Sequence, residues 1–177
     1  MKSVKNNYVD CAKLLLQEAK KRNQSGLTAL MFAAQLGYPG FIDVLKEHEL
    51  KQRSVKRQTA LIQAAAFNHP ECTQMLTEEA RMQDDAGWTA LMWAAHKGHA
   101  EQIPILIELE AKMINKQKET ALILSAQANH ADCAQLLLVE AGMKTELGAT
   151  ALMIVARSGF TDLIHILEKE LKVTNNV

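Results

Sequence analysis

The chain lacks most of what marks a specialised class. Aromatic side chains make up only 5% of its 177 residues, so aliphatic, Met and Ala packing must build the core. Charge of neither sign dominates, since 20 basic residues balance 20 acidic ones. A nucleic-acid binder or a protein drawn to an anionic membrane relies on surplus positive charge, so both classes are disfavoured. No apolar run approaches the ~20 residues a membrane span needs. Near the N-terminus the only apolar run is Leu14-Leu15-Leu16, far short of a signal-peptide core. Three cysteines cannot all pair, which suggests a reducing setting inside the cell, with the cytoplasm as the expected compartment. What is present is 48% apolar content, enough for a real core and unlike a disordered chain. The length fits one domain, taken as residues 1–177.

The chain repeats itself. Thr-Ala-Leu stands at 28–30, 59–61, 89–91, 120–122 and 150–152, so the threonines step by 31, 30, 31 and 30. A longer period of 61 lies over this one. It relates Gly26, Gly87 and Gly148; Gly37, Gly98 and Gly159; Cys11, Cys72 and Cys133; and Asn7, Asn68 and Asn129. The unit of duplication is therefore a pair of repeats, and repeats begin near 26, 57, 87, 118 and 148 after a partial one over 1–25.

Each copy reads alike. Thr-Ala-Leu opens an Ala-rich segment such as Met31–Leu36 or Met92–Lys97; Ala is the best helix former and lets helices approach closely. A Gly or Asn follows, and both tolerate the left-handed conformation that ends a helix. Next comes a second apolar pattern with i, i+3, i+4 spacing, as in Phe41, Val44 and Leu45 or Leu163, Ile166 and Leu167. Pro39 and Pro70 fall where a helix tolerates proline; Pro104 lies deeper and is expected to cost a hydrogen bond near Ala100. About 10 polar residues then lead to the next Thr and read as a turn or finger. A helix pair of ~30 residues cannot bury its apolar face alone, and stacking such pairs solves this.

The fullest copy is Gly87-x-Thr89-Ala90-Leu91-Met92-x-Ala94-Ala95-x-x-Gly98-His99. This pattern, sustained over nearly the whole chain, resembles the ankyrin repeat. The resemblance implies an all-α solenoid of helix-turn-helix units with fingers between them. Ala replaces the usual Pro after Thr, Met or Ile replaces the usual His, and the period is 2–3 residues short, so short fingers are expected. Arg57 and Lys118 stand where the turn glycine is expected, so those two turns are expected to differ in type. The Thr-Ala-Leu-Met flavour is similar to that of protist ankyrin-repeat proteins, some of them fused to kinases related to the mitotic NIMA group. Residues 7–22 align with a second helix through Cys11, so the array begins mid-repeat, either as a degenerate cap or as part of a longer array. At the far end Glu168, Lys169, Glu170 and Lys172 suit a polar cap.

Catalytic signals are missing. There is no Gly-x-Ser-x-Gly, no P-loop and no Gly-x-Gly-x-x-Gly. His69-x-x-Cys72 and His130-x-x-Cys133 have the spacing of metal ligands, but each His belongs to an inter-helix turn and each Cys to a core position two repeats from its twin. No metal, cofactor or small-molecule substrate is expected, and no catalysis. Met31, Met92 and Met153 share one repeat position and read as core rather than as an adaptable binding surface.

The resemblance implies that a partner protein docks on the finger tips and the concave inner face of the first helices. The residues there vary while the framework repeats. They are Leu27, Gln58, Trp88, Glu119 and Ala149 before each Thr, and Phe32, Gln63, Trp93, Leu124 and Ile154 further on. The pairs before each Gly or Asn complete the set, of which Phe67, His96, Lys97 and Arg157 are the candidate contacts. Both tryptophans fall in the middle copy, where hot spots concentrate. Trp93 is either such a hot spot or a filler between stacked helices; Trp88, on a finger, is expected to be exposed. Lys51, Arg53, Lys56 and Arg57 make one finger basic, and Lys112, Lys116 and Lys118 another; Glu78, Glu79, Asp84 and Asp85 make the finger between them acidic. The reading is a non-catalytic interaction scaffold. The alternative is a structural or targeting segment of a larger scaffold, cytoskeletal or kinase-associated protein, self-associating through an open N-terminal end.

Overall fold

The structure, a computed structural model, describes residues 22–174, with side chains described as far as Glu168. The proposed partial repeat over residues 1–21, Cys11 within it, and the polar side chains from Lys169 onward lie outside the described residues.

Five helix pairs follow one another. They are α1 Ala29–Leu36 with α2 Pro39–Glu49, α3 Ala60–Ala66 with α4 Pro70–Met75, α5 Ala90–Lys97 with α6 Ile103–Glu110, α7 Ala121–Gln127 with α8 Ala131–Leu136, and α9 Ala151–Ser158 with α10 Thr161–Thr174. Each first helix begins at the repeated threonine. Thr28, Thr59, Thr89, Thr120 and Thr150 are all extended N-caps, and each Oγ1 accepts the backbone N–H three residues on at 3.3–3.4 Å. Each first helix ends on a left-handed residue: Gly37, Asn68, Gly98, Asn129 and Gly159, with φ between 59° and 77°. Glycine is required at Gly98 for a second reason, because a Cβ there would lie 2.6 Å from His130 Nδ1 of the next repeat.

First helices stack on first helices in the order α1, α3, α5, α7, α9, and second helices form a parallel row behind them. Alanine makes the close approach possible: Ala34, Ala64, Ala65, Ala94, Ala95 and Ala126 are fully buried between layers. Leu30, Leu61, Leu91 and Leu122 with Ile42, Leu45, Leu76, Ile103, Leu106 and Leu137 fill the space between the rows. Cys72 and Cys133 lie in this core, and burial pushes each thiol pKa up to about 11, so neither is a ready nucleophile or ligand.

The joint between repeats is a buried carboxylate. Each of the first four second helices, or its trailing 3₁₀ turn, ends on glutamate: Glu49, Glu79, Glu110 and Glu140, all at most 3% exposed. Glu79 Oε2 accepts the Leu61 N–H at 2.8 Å, satisfying a free donor in the first turn of α3. Its Oε1 accepts the Lys51 N–H at 2.7 Å, from the left-handed turn that follows α2. Glu110 holds Leu91 and Arg81 N–H in the same way at 2.7 and 2.9 Å, and Glu140 holds Leu122 and Lys112 N–H, both at 2.8 Å. Glu49 accepts from Leu30 N–H at 2.7 Å, and its Oε1 is buried with no partner among the described residues.

A second polar series shapes the fingers. Asn23, Asp84 and Asn115 each accept two finger N–H groups, at 2.8–3.0 Å, while Ser54 and Thr145 accept one. Adjacent finger tips are tied as well: Val55, Asp85, Lys116 and Glu146 N–H donate to Ser25, Lys56, Ala86 and Gln117 C=O.

Three sequence expectations are corrected here. Arg57 and Lys118 adopt φ of 58° and 57°, the same left-handed turn as Gly26, Gly87 and Gly148, with the same N–H bond back three residues, so these turns do not differ in type. Pro104 is not deep in a helix, because a 3₁₀ turn over Ala100–Gln102 precedes it and the α-helix starts at Ile103, which places the proline in the first turn. Met31 and Met92 are core residues, but Met153 is 59% exposed, since α9 is the last first helix of the described stack and no later one covers it.

Replacing Glu110 by Ala strands two backbone donors, each worth about 1–3 kcal/mol when buried unpaired, so a loss of about 2–5 kcal/mol by urea unfolding is expected, against less than about 0.5 kcal/mol for the exposed Glu108→Ala. Equal losses would show that the joint is dispensable. Burial, above all, raises the pKa of Glu79, Glu110 and Glu140, and the N–H bonds offset it only in part. A carboxyl with the higher pKa in the folded state stabilises fully below its unfolded value of ~4.3, and that stabilisation is lost as pH rises through the folded value. Measured against Glu110→Gln, which does not titrate, wild-type stability should therefore fall as pH rises from about 4.5 towards neutrality. A difference that grows in favour of the wild type over that range would contradict this.

Candidate recognition surface

Finger residues and the exposed sides of the first helices line shared grooves, and several of the variable residues lie along them. Leu27 is half-buried beside the groove edge and Phe32 is exposed. Phe67, at the end of α3, is 50% exposed. Lys97 and Arg157 are exposed at the ends of α5 and α9.

Other candidates are committed internally. Gln63 is only 5% exposed and donates through Nε2 to Gln58 Oε1 at 2.9 Å, so the pair presents itself chiefly through Gln58. Glu119 accepts from Asn115 Nδ2 at 2.8 Å and from Gln127 Nε2 at 2.7 Å, which engages both of its oxygens. Leu124 is buried between first helices.

The middle copy builds an aromatic cluster. Trp88 and Trp93 meet with ring centroids 4.9 Å apart, and Trp88 meets His96 edge-on at 5.1 Å. Trp93 Nε1 donates to Asp84 Oδ2 at 3.0 Å, while Asp84 Oδ1 takes the Ala86 and Trp88 N–H groups. One carboxylate thus fixes the finger turn and the indole together. His96 is held towards its neutral form by burial, with Lys97 and His130 acting in the same direction. The expected exposure of Trp88 is corrected: the ring is half-buried, because the finger folds it back onto Trp93 and His96. Trp93 is also half-buried, so it both packs and faces outward.

The acidic finger is corrected too. Glu79 and Asp84 are internal, one in the repeat joint and the other in the turn, which leaves Glu78 and Asp85 as its exposed acids. On the basic finger Arg53 folds onto its neighbour, donating to Gln83 C=O at 2.8 Å, while Lys56 and Arg57 stay exposed.

Two grooves indent the face. The first, of about 760 Å³, runs over the first three repeats past Lys56, Gln58, Phe67, Trp93 and Lys97. The second, of about 540 Å³, lies over the last two and includes Glu119, Glu146, Met153, Arg157 and Leu147, which is 95% exposed. A third hollow of about 490 Å³ sits at the N-terminal side of α1 and α2 and is lined by Leu27, Phe32, Leu36, Tyr38 and Leu45 among others. Among the described residues no group of three or more His, Cys, Asp or Glu is placed to hold a metal ion, and no helix is long and apolar enough to cross a membrane. His69 Nε2 and His99 Nδ1 instead lie 3.0 Å from the Gln35 and Ala65 carbonyls of the preceding repeat.

Sequence reasoning missed Asp84 as the residue that orients Trp93. The signal was available, because Asn23, Ser54, Asp84, Asn115 and Thr145 recur at the repeat spacing. Asp84→Ala should free Trp93 Nε1 and two finger amides together, costing about 2–4 kcal/mol and shifting tryptophan emission to the red in the folded protein. An unchanged spectrum would mean that the indole is held by packing alone.

A family model described as ankyrin repeats, in three copies, matches residues 1–82 and again residues 77–147. A search of curated proteins found none that matches this chain. Repeats of this family generally mediate protein–protein interaction and are typically non-catalytic. With the paired helices, the left-handed caps and the finger turns in place, the chain belongs to the ankyrin-repeat family.

Proposed function

We propose that the protein is a non-catalytic adaptor that binds a partner protein on its concave face, across the fingers and first helices. The observation that carries this reading is the contrast within each repeat. The caps, joints and core repeat from copy to copy, while the residues on one face change and include a rigidly held Trp88–Trp93–His96 cluster. Folding does not demand that variety, so those positions are free to recognise. Trp is enriched at hot spots, and a pre-ordered aromatic loses little entropy on binding. Leu27, Gln58, Phe67 and Lys97 line the groove beside Trp93, Arg157 lies in the second groove and Phe32 at the N-terminal hollow, together the surrounding contact surface, and Gln63 and Glu119 hold neighbouring side chains in place.

A second reading is that the array is a structural or targeting segment of a larger assembly, self-associating through its N-terminal side. It draws on the apolar hollow beside Leu36 and Tyr38, both at least half exposed.

Affinity capture from the source cell separates the two readings. The wild type is compared with Phe67→Ser and with Leu36→Glu/Tyr38→Ser, all exposed positions and all checked for unchanged melting. Proteins held by the wild type, lost by Phe67→Ser and kept by the second variant are the expected outcome. Loss only with the second variant, or a wild-type oligomer that this variant converts to monomer in sedimentation, would replace the adaptor reading with the structural one.

A further inference from the structure

We infer that the groove over the first three repeats takes an extended, acidic segment of the partner protein, with carboxylates set against Lys56 and Lys97 and an apolar side chain against Phe67 and Trp93. The inference rests on the concave-face reading above and gives it a chemistry.

The charge of the groove is one-sided although that of the chain is not. Two exposed lysines line it and no carboxylate does. Neither lysine is ion-paired to any described residue; Asp84 spends both oxygens on the finger amides and on Trp93, and Asp85, whose N–H donates to the Lys56 carbonyl, stands on the finger tip outside the groove lining. Cations left unpaired beside a half-apolar wall are where charge complementarity orients a partner and speeds its arrival. The wall supplies the apolar part, with Phe67 half exposed and the edge of Trp93 beside it.

The remaining polar lining suits a peptide backbone. Gln58 Oε1 accepts from Gln63, while no described partner takes the Gln58 amide hydrogens. Gln35 lies in the same groove. Side-chain amides both donate and accept, as the peptide groups of an extended strand require. Three repeats stacked ~10 Å apart span ~20 Å, or about six residues of extended chain at ~3.3 Å each.

A nucleic-acid strand fits less well. Its charge repeats at every residue, so it would carry phosphates past Lys97 towards the second groove, where Glu119 and Glu146 stand. A peptide can place its acids at the lysines alone.

The test is selection of random displayed peptides, about a dozen residues long, on the immobilised 177-residue chain. The selected pool is expected to be richer in Asp and Glu than the input. Synthetic copies should bind wild type more weakly as salt rises, and at low salt should bind Lys56→Glu/Lys97→Glu about tenfold more weakly than wild type, as two lost and reversed ion pairs imply, a gap that narrows as salt screens it. The exposed pair Lys112→Glu/Lys144→Glu, which lines neither groove and makes the same change in net charge, should bind as wild type does. Peptides that are lost with Phe67→Ser but are not acidic, or that respond equally to both lysine pairs, would overturn the acidic assignment and leave the concave-face reading standing. Selection of no peptide sensitive to Phe67→Ser would overturn both. Displacement of the peptides by oligothymidylate at equal affinity would reassign the groove to a phosphate backbone.

Discussion

The spacing of the recognition face rests on the buried glutamates that end the inner second helices. A stack of short helix pairs has two weak points: the unsatisfied N–H groups at the start of each first helix, and the joint where one repeat turns into the next. Glu79, Glu110 and Glu140 meet both needs with one side chain each, through two bonds of 2.7–2.9 Å. Burying a carboxyl is costly, and the raised pKa values record that cost. What it gives in return is geometry. Because the same carboxyl grips the left-handed turn of one repeat and the first helix of the next, the register between repeats is fixed by hydrogen bonds as well as by packing. The fingers start from those turns, so their spacing follows from it.

On this frame the second polar series shapes each finger, and at Asp84 it meets the variable set. One oxygen closes the finger turn and the other holds the indole of Trp93, which in turn carries Trp88 and His96. A residue of the scaffold thus sets the orientation of residues that differ between copies. This makes the cluster rigid before any partner arrives, and it is how a face of half-buried aromatics can exist in a chain with so few of them. The two grooves on either side inherit different chemistry from the residues that vary. Lysines and glutamines line one, while the other has exposed Leu147 and Met153 beside Glu119, Glu146 and Arg157.

The architecture was legible because its strongest signals are periodic and local. Thr at each N-cap and Gly or Asn at each C-cap are dictated by backbone geometry, and both series stand out in the sequence at the spacings the structure uses. Glutamate recurs just as periodically in the sequence, at 18, 49, 79, 110, 140 and 170, and ends a second helix at the four described joints, but a charged residue at a helix end reads as solvated. For that reason Glu79 and Asp84 were assigned to a charged finger, although both are internal. Arg57 and Lys118 misled for a related reason: the identity of a turn residue suggests its conformation, but the bonds on either side of it impose the left-handed turn regardless. Side-chain pairing such as Gln58 with Gln63 or Glu119 with Gln127 depends on distances across a folded surface, which spacing alone does not give.

Native-state hydrogen exchange of the turn amides tests the dependence of the frame on its buried carboxyls most directly. Lys51, Arg81 and Lys112 are exposed residues in left-handed turns, where an amide ordinarily exchanges quickly. If the carboxyls hold the register, these three amides exchange as slowly as those of Leu61, Leu91 and Leu122, their partners on the same side chains, through openings that approach global unfolding. Exchange at the rate of the surrounding finger residues, with the leucine amides still protected, would show that packing alone sets the register and that the carboxyls merely occupy the joint.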